Sequence, residues 1–152
     1  MSEVNINNQT IFTADNLDVL RGLNSASIDL IYLDPPFNSN RNYRAPVGLP
    51  GGKEVLAEFK DTWNYTDIDA SWRGMIKEEH PALYNLLNAV ESIQGKSMVS
   101  YLIFMAPRLM EMKRVLKSTG SIYLHCDPTA SHYLKLLMDW IFGKANFRNE
   151  IV

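Results

Sequence analysis

Ile28-Asp29-Leu30-Ile31-Tyr32-Leu33-Asp34-Pro35-Pro36-Phe37 is the stretch on which the fold turns. Its first six residues are β-prone and almost continuously apolar, the pattern of a strand buried on both faces in a parallel sheet. The strand stops at Asp34, because two prolines cannot donate further ladder bonds. Just upstream, Leu17, Leu20 and Leu23 recur at steps of three behind the N-cap candidates Asp15 and Asn16, which predicts a short helix. Downstream, Leu102, Met105, Leu109, Met112 and Leu116 form a helical stripe that Pro107 should kink or restart. Ser118-Thr119-Gly120 closes that helix, and Ser121-Ile122-Tyr123-Leu124-His125-Cys126 reads as a second strand. Asp127-Pro128 is an N-cap and N1 pair. It opens a helix predicted to bury Tyr133, Leu136, Leu137, Trp140 and Ile141, and Gly143 ends it.

Between the two units, residues 38–80 read as a long irregular insertion, with the breaker cluster Gly48-Leu49-Pro50-Gly51-Gly52 inside it. A helix is predicted from Pro81 to about Ile93, ended by Gly95. The tail Phe147-Arg148-Asn149-Glu150-Ile151-Val152 reads as the start of another strand. This order of strands and helices predicts an α/β fold, a mostly parallel sheet flanked by helices in one domain over residues 1–152. In such sheets chemistry sits beyond the carboxyl ends of the strands, where Asp34 and Asp127 fall.

Composition narrows the class. The chain has 152 residues, 46% hydrophobic and 21% charged, which fits one globular domain with a real core. A net charge of -2 gives no global nucleic-acid signature, so any basic surface must be local. The single cysteine, Cys126, excludes an intrachain disulfide and points to a reducing cytoplasm. Met1 to Thr10 holds no apolar signal core, and no run approaches the ~20 apolar residues of a membrane span.

Asp34-Pro35-Pro36-Phe37 carries the chemistry. An exocyclic amine on a nucleobase is a poor nucleophile, since its lone pair is delocalised into the ring. Two acceptors placed at the amino hydrogens draw the nitrogen toward tetrahedral geometry. A carboxylate (Asp34) supplies one, and the Pro35 carbonyl, held by the stiff Pro35-Pro36 pair, supplies the other. The ring of Phe37 is suited to stack on a base swung out of the duplex. Asp-Pro-Pro also occurs as a plain turn after a strand, so the placement at a strand end matters as much as the four residues.

Thr13-Ala14-Asp15-Asn16-Leu17, the stretch from Ser27 to Asn38, and the stretch from Arg108 through Gly120-Ser121-Ile122-Tyr123-Leu124-His125-Cys126-Asp127 to Val152 together resemble the amino-group DNA methyltransferases of bacterial restriction-modification systems. The resemblance is weakest from Arg41 to Gln94. It implies a Rossmann-like catalytic fold, S-adenosylmethionine as cofactor, and methyl transfer to adenine N6 or cytosine N4 of double-stranded DNA. Asp in the first position of the tetrapeptide implies adenine. Asp15 and Asn16 stand where the family places an acidic residue near the cofactor adenine. A tetrapeptide this near the N-terminus resembles the permuted class, in which the target-recognition region and a Phe-x-Gly-x-Gly cofactor loop come later. The chain holds no Gly-x-Gly. The expectation is therefore a catalytic fragment, inactive and weak in cofactor binding alone. Its partners would be DNA and a restriction or specificity subunit, or a second copy. The alternatives are a cytosine-N4 enzyme or a catalytically incomplete DNA-docking subunit.

Other groups admit plainer readings. His125 and Asp127, two apart, would share a strand face and allow a metal-dependent hydrolase. More simply, Asp127 caps a helix, Cys126 faces the core and His132 rides on the helix surface, and no metal is expected. Cys126 lacks the preceding proline of a cytosine-carbon nucleophile. Arg108, Lys113, Arg114 and Lys117 would touch phosphate or form the solvated face of an amphipathic helix. Trp63, Tyr65 and Trp72 near Arg44, Lys60 and Arg73 would stack on bases or pin the insertion. Met98, Met105, Met110 and Met112 read as core filling.

Overall fold

The computed structural model describes residues 5–37, 41–49, 53–61 and 70–152, with side chains described at 5–37 and 74–152. The elements run α1 (Asn16–Gly22), β1 (Ile28–Leu33), β2 (Arg41–Leu49), β3 (Lys53–Asp61), α2 (Ala70–Glu79), α3 (Pro81–Gln94), α4 (Lys96–Val115), β4 (Leu116–Leu124) and α5 (Pro128–Phe142), then a short 3-10 turn at Lys144–Asn146.

The two βα units pair as their sequences predict. Strands β1 and β4 are parallel, with Leu30 opposite Ser121, Ile31 opposite Ile122 and Leu33 opposite Leu124. Asp15 caps α1 by accepting from Leu17 N at 2.8 Å. Asp127 caps α5 by accepting from Ala130 N at 3.1 Å, with Pro128 in the first turn. Each cap satisfies one of the N–H groups that a helix start leaves open.

The core is largely helical. Val99, Tyr101, Leu102 and Leu109 of α4 and Leu137 of α5 are sealed from solvent, with Ile76, Leu83 and Leu87 closing over them from α2 and α3. Ile31, Leu33, Ile122 and Leu124 turn one face of the β1–β4 sheet toward this cluster. The opposite face is open: Leu30 is 59%, Tyr32 70% and Tyr123 48% exposed. Burial of β1 on both faces is therefore corrected. The described helices pack on one side of the sheet, and alternation along the strand sends every second residue outward.

Several further expectations change. The stretch 38–80 contains an antiparallel hairpin, β2 and β3, and helix α2 rather than irregular chain. Tyr43 pairs with Phe59, Ala45 with Ala57 and Val47 with Val55. The alternation Tyr43, Ala45, Val47, Leu49 is a period-two signal, and the downstream breakers obscured it. Among the described residues the strands thus form two separate two-stranded sheets, one parallel and one antiparallel. Asn38, Pro50, Gly51, Gly52, Trp63 and Tyr65 lie outside the described residues, as do the side chains of Arg44, Lys60, Trp72 and Arg73.

Helix α4 runs through Pro107 without a restart and ends at Val115, so β4 begins at Leu116 and not at Ser121. Gly120 sits inside β4. A Cβ there would lie 2.9 Å from the Asp29 carbonyl oxygen and 2.8 Å from Leu116 Cδ1. Gly120 thus permits close approach of the strands where the register shifts, instead of capping a helix. Helix α5 buries Ala130, Leu134, Leu137 and Ile141, while Leu136 is half exposed and Tyr133 and Trp140 are partly buried. The tail 147–152 forms no strand, since a strand exists only when a neighbour takes up its backbone groups.

Candidate active site

Asp34 follows the last residue of β1 and is exposed, while Pro35 behind it is buried. The pairing of the strands continues to this point, because His125 N donates to the Leu33 carbonyl at 2.8 Å. The chain therefore leaves the sheet at Asp34 with its preceding peptide fixed. Asp34, Pro35 and Pro36 form one wall of a cleft of about 140 Å³. Met105, Arg108 and Met112 of α4 form the other, with Asn16 at its edge. The Asp34 carboxylate makes no ion pair or hydrogen bond among the described residues. Phe37, partly buried, meets the His125 ring edge-on, with centroids 5.3 Å apart and an interplanar angle of 61°. His125 itself is exposed.

A second, open cleft of about 260 Å³ adjoins the first. Phe12, Ala14, Val19, Leu20, Asn16 and Met112 line it, so Asn16 and Met112 border both spaces. Asp15 faces inward. Both of its oxygens take hydrogen bonds from Arg108 Nη2, at 2.9 and 2.6 Å. Arg108 Nε donates to Asn16 Oδ1 at 2.9 Å, and Nη1 donates to the Phe104 carbonyl at 2.8 Å. The guanidinium lies 3.4 Å from the Phe104 ring centroid. Burial pulls the Arg108 pKa down, and the neighbouring Asp15 carboxylate works against that shift.

The basic run is divided: Arg108 is buried, while Lys113 is exposed and Arg114 and Lys117 are partly exposed, each with internal partners. Arg114 donates to the Leu20 and Leu23 carbonyls and pairs with Glu111, Lys113 donates to the Ile141 carbonyl, and Lys117 pairs with Asp29. These cations tie α4 and β4 to α1, β1 and α5. The signal that could have singled out Arg108 is its spacing, since Met105, Arg108 and Met112 follow the helical steps of three and four that mark the buried stripe. His125 and Asp127 are not brought together with a third ligand: among the described residues no group of three or more His, Cys, Asp or Glu side chains gathers. Cys126 is partly buried, and burial first, then Asp127 and Glu150, push its thiol pKa up. Among the described residues, no helix is long and apolar enough to cross a membrane.

A parallel βα unit that ends in an acidic Pro-Pro tetrapeptide at a cleft fits one class of protein. Residues 28–152 match the N6/N4 methyltransferase family, described as DNA methylase, and the chain belongs to that family. Among its relatives, the type III restriction-modification enzyme StyLTI Mod subunit of Salmonella typhimurium is 35% identical, over 97% of this chain and 21% of the relative. The type II methyltransferase M.KpnI of Klebsiella pneumoniae is 28% identical, over 100% of this chain and 28% of the relative. The type III EcoPI Mod subunit of Escherichia phage P1 is 28% identical, over 95% of this chain and 21% of the relative. The chain thus spans between a fifth and three tenths of the length of these relatives.

Proposed function

We propose that residues 1–152 form the catalytic part of an adenine-N6 DNA methyltransferase domain with a Rossmann-like fold, working on a base extruded from double-stranded DNA. The observation that carries this is Asp34: a carboxylate at a strand's carboxyl end, on a cleft wall, with no internal partner among the described residues. A carboxylate left unpaired beside a rigid Pro-Pro carbonyl is available to a ligand's N–H groups. Asp34 accepts from one amino hydrogen and the Pro35 carbonyl from the other, which localises the nitrogen lone pair. Phe37, braced by His125, offers the ring that holds the base.

The second cleft suits a nucleoside cofactor. Phe12, Val19 and Leu20 give apolar walls for a flat ring, and Asn16 gives a polar edge. S-adenosylmethionine, when bound, supplies an electrophilic methyl on its sulfonium. Residues 1–152 contribute no Gly-x-Gly cradle for its methionine end, so the rest of that site comes from other residues or from a partner chain. Partnership with a restriction or specificity subunit is part of the same reading, because two of the relatives above are named Mod subunits of type III restriction-modification enzymes.

The test grafts residues 1–152 into the StyLTI Mod subunit in place of its matched segment. Methyl transfer from labelled S-adenosylmethionine to DNA is measured, and the modified nucleoside is identified by mass spectrometry. N6-methyladenine is expected. N4-methylcytosine would overturn the assignment to adenine, and a folded graft that methylates nothing would overturn the reading itself.

A further inference from the structure

Arg108 holds two neighbouring side chains at the start of α1, the Asp15 carboxylate and the Asn16 amide, and of these two Asn16 lines both clefts. We infer that Arg108 is a positioning residue: it fixes the Asn16 amide so that Nδ2 is offered to a hydrogen-bond acceptor on the bound nucleoside. This deepens the reading above and rests on it for the identity of the ligand.

Arg108 is only 7% exposed, on the apolar stripe of α4. A buried guanidinium is costly to desolvate, and an apolar residue of similar size would join α1 to α4 at less cost. What an apolar residue cannot do is orient an amide. Arg108 Nε carries a hydrogen and accepts nothing, so the Asn16 atom 2.9 Å from it must be the oxygen. The amide is therefore locked with Nδ2 on the other side. Nδ2 carries two hydrogens and has no partner among the described residues, and Asn16 lines both clefts. Asp15 lines neither cleft, and Arg108 donates to both of its oxygens while Leu17 N donates a further bond to Oδ1. Asn16 Nδ2 thus places a donor at the cleft edge. It selects an acceptor, a ring nitrogen or a hydroxyl oxygen of the nucleoside, where a free carboxylate would select a donor. The same guanidinium lines the cleft wall opposite Asp34, so one side chain sets the cofactor edge and faces the tetrapeptide.

Asn16→Asp separates this role from a structural one. Aspartate keeps an oxygen for Arg108 Nε and adds a favourable charge, so the tie between α1 and α4 survives. Only the donor is lost. S-adenosylmethionine is titrated into the 152-residue chain and into the graft described above, with Tm and methylation kinetics followed in parallel. The expected result for Asn16→Asp in the graft is an unchanged or raised Tm, a KM for S-adenosylmethionine raised about tenfold, as for loss of one hydrogen bond, and an unchanged kcat. Arg108→Lys, which cannot hold the fork, should raise KM similarly and lower Tm. An Asn16→Asp enzyme with unaltered KM overturns this inference and leaves the methyltransferase reading standing. So does one that loses kcat at unaltered KM. A graft that neither binds nor turns over S-adenosylmethionine overturns both.

Discussion

The backbone N–H of His125 donates to the carbonyl of Leu33 at 2.8 Å, so β1 and β4 stay paired up to the residue before Asp34. The side chain of the same histidine meets the Phe37 ring edge-on. One residue thus fixes where the chain leaves the sheet, through its backbone, and how the tetrapeptide's ring stands, through its imidazole. The two roles separate by mutation. His125→Ala keeps the backbone bond and removes the brace. Such aromatic contacts contribute ~0.5–1.5 kcal/mol. The catalytic efficiency toward DNA should fall about two- to tenfold in the graft at an unchanged KM for S-adenosylmethionine, as that energy implies. His125→Phe should restore most of it. Steady-state kinetics of the three proteins check this; equal loss in both variants would mean that the imidazole acts through its nitrogens instead.

Asp34 makes no ion pair or hydrogen bond among the described residues, so its removal should cost little stability, within about 0.5 kcal/mol as for exposed sites without partners. Methyl transfer should fall about 100-fold or more in Asp34→Ala, the scale for losing one preorganised group at a reacting centre. DNA binding by gel shift should persist. Methylation that survives the change would remove Asp34 from the chemistry. A Tm that collapses would show that its carboxylate holds the fold.

Gly120 sits where β4 leaves no room for a side chain beside β1. A methyl group there would press on the Asp29 carbonyl and the Leu116 side chain. Backbone gives way less easily than a flexible side chain. Gly120→Ala should therefore destabilise the chain by ~1–3 kcal/mol, the usual scale of overpacking. Urea unfolding followed by circular dichroism reads this as a lower midpoint at the same slope. An unchanged midpoint would mean that the sheet relaxes around the register shift at no cost.

The parts of the fold that local chemistry dictates were legible in the sequence. Asp15 and Asp127 cap helices where their acceptor oxygens and the following residues require it. Asp34 ends a strand because two prolines follow. What depends on the third dimension was not legible. The apolar run Ile28–Leu33 looks buried all round, yet Leu30 and Tyr32 face outward, because burial is decided by which helices arrive on each face. Arg108 read as one of several surface cations. Only the packing of α4 against α1 reveals that it sits between Asp15, Asn16 and Phe104. The hairpin is hidden for another reason: its alternation lies beside a proline–glycine cluster whose local signal is stronger than that of a short strand.

Cys126 tests the environment at the start of α5. Burial disfavours the thiolate, and the negative charges of Asp127 and Glu150 act in the same direction. The sign is unambiguous: a raised pKa leaves a smaller thiolate fraction than a free cysteine has at any pH near neutrality. Since the thiolate is the reacting form, a thiol reagent such as dithionitrobenzoate should modify the folded chain more slowly than it modifies glutathione at pH 8. The rate should rise with pH along a curve displaced to the alkaline side of the free thiol. Denaturant should abolish the difference. Asp127→Asn removes one of the two charges and should move the curve back toward the free thiol, at some cost in helix stability because the cap is weakened. A rate equal to that of the free thiol in the folded chain would mean that Cys126 meets solvent, and that the junction of β4 and α5 is open.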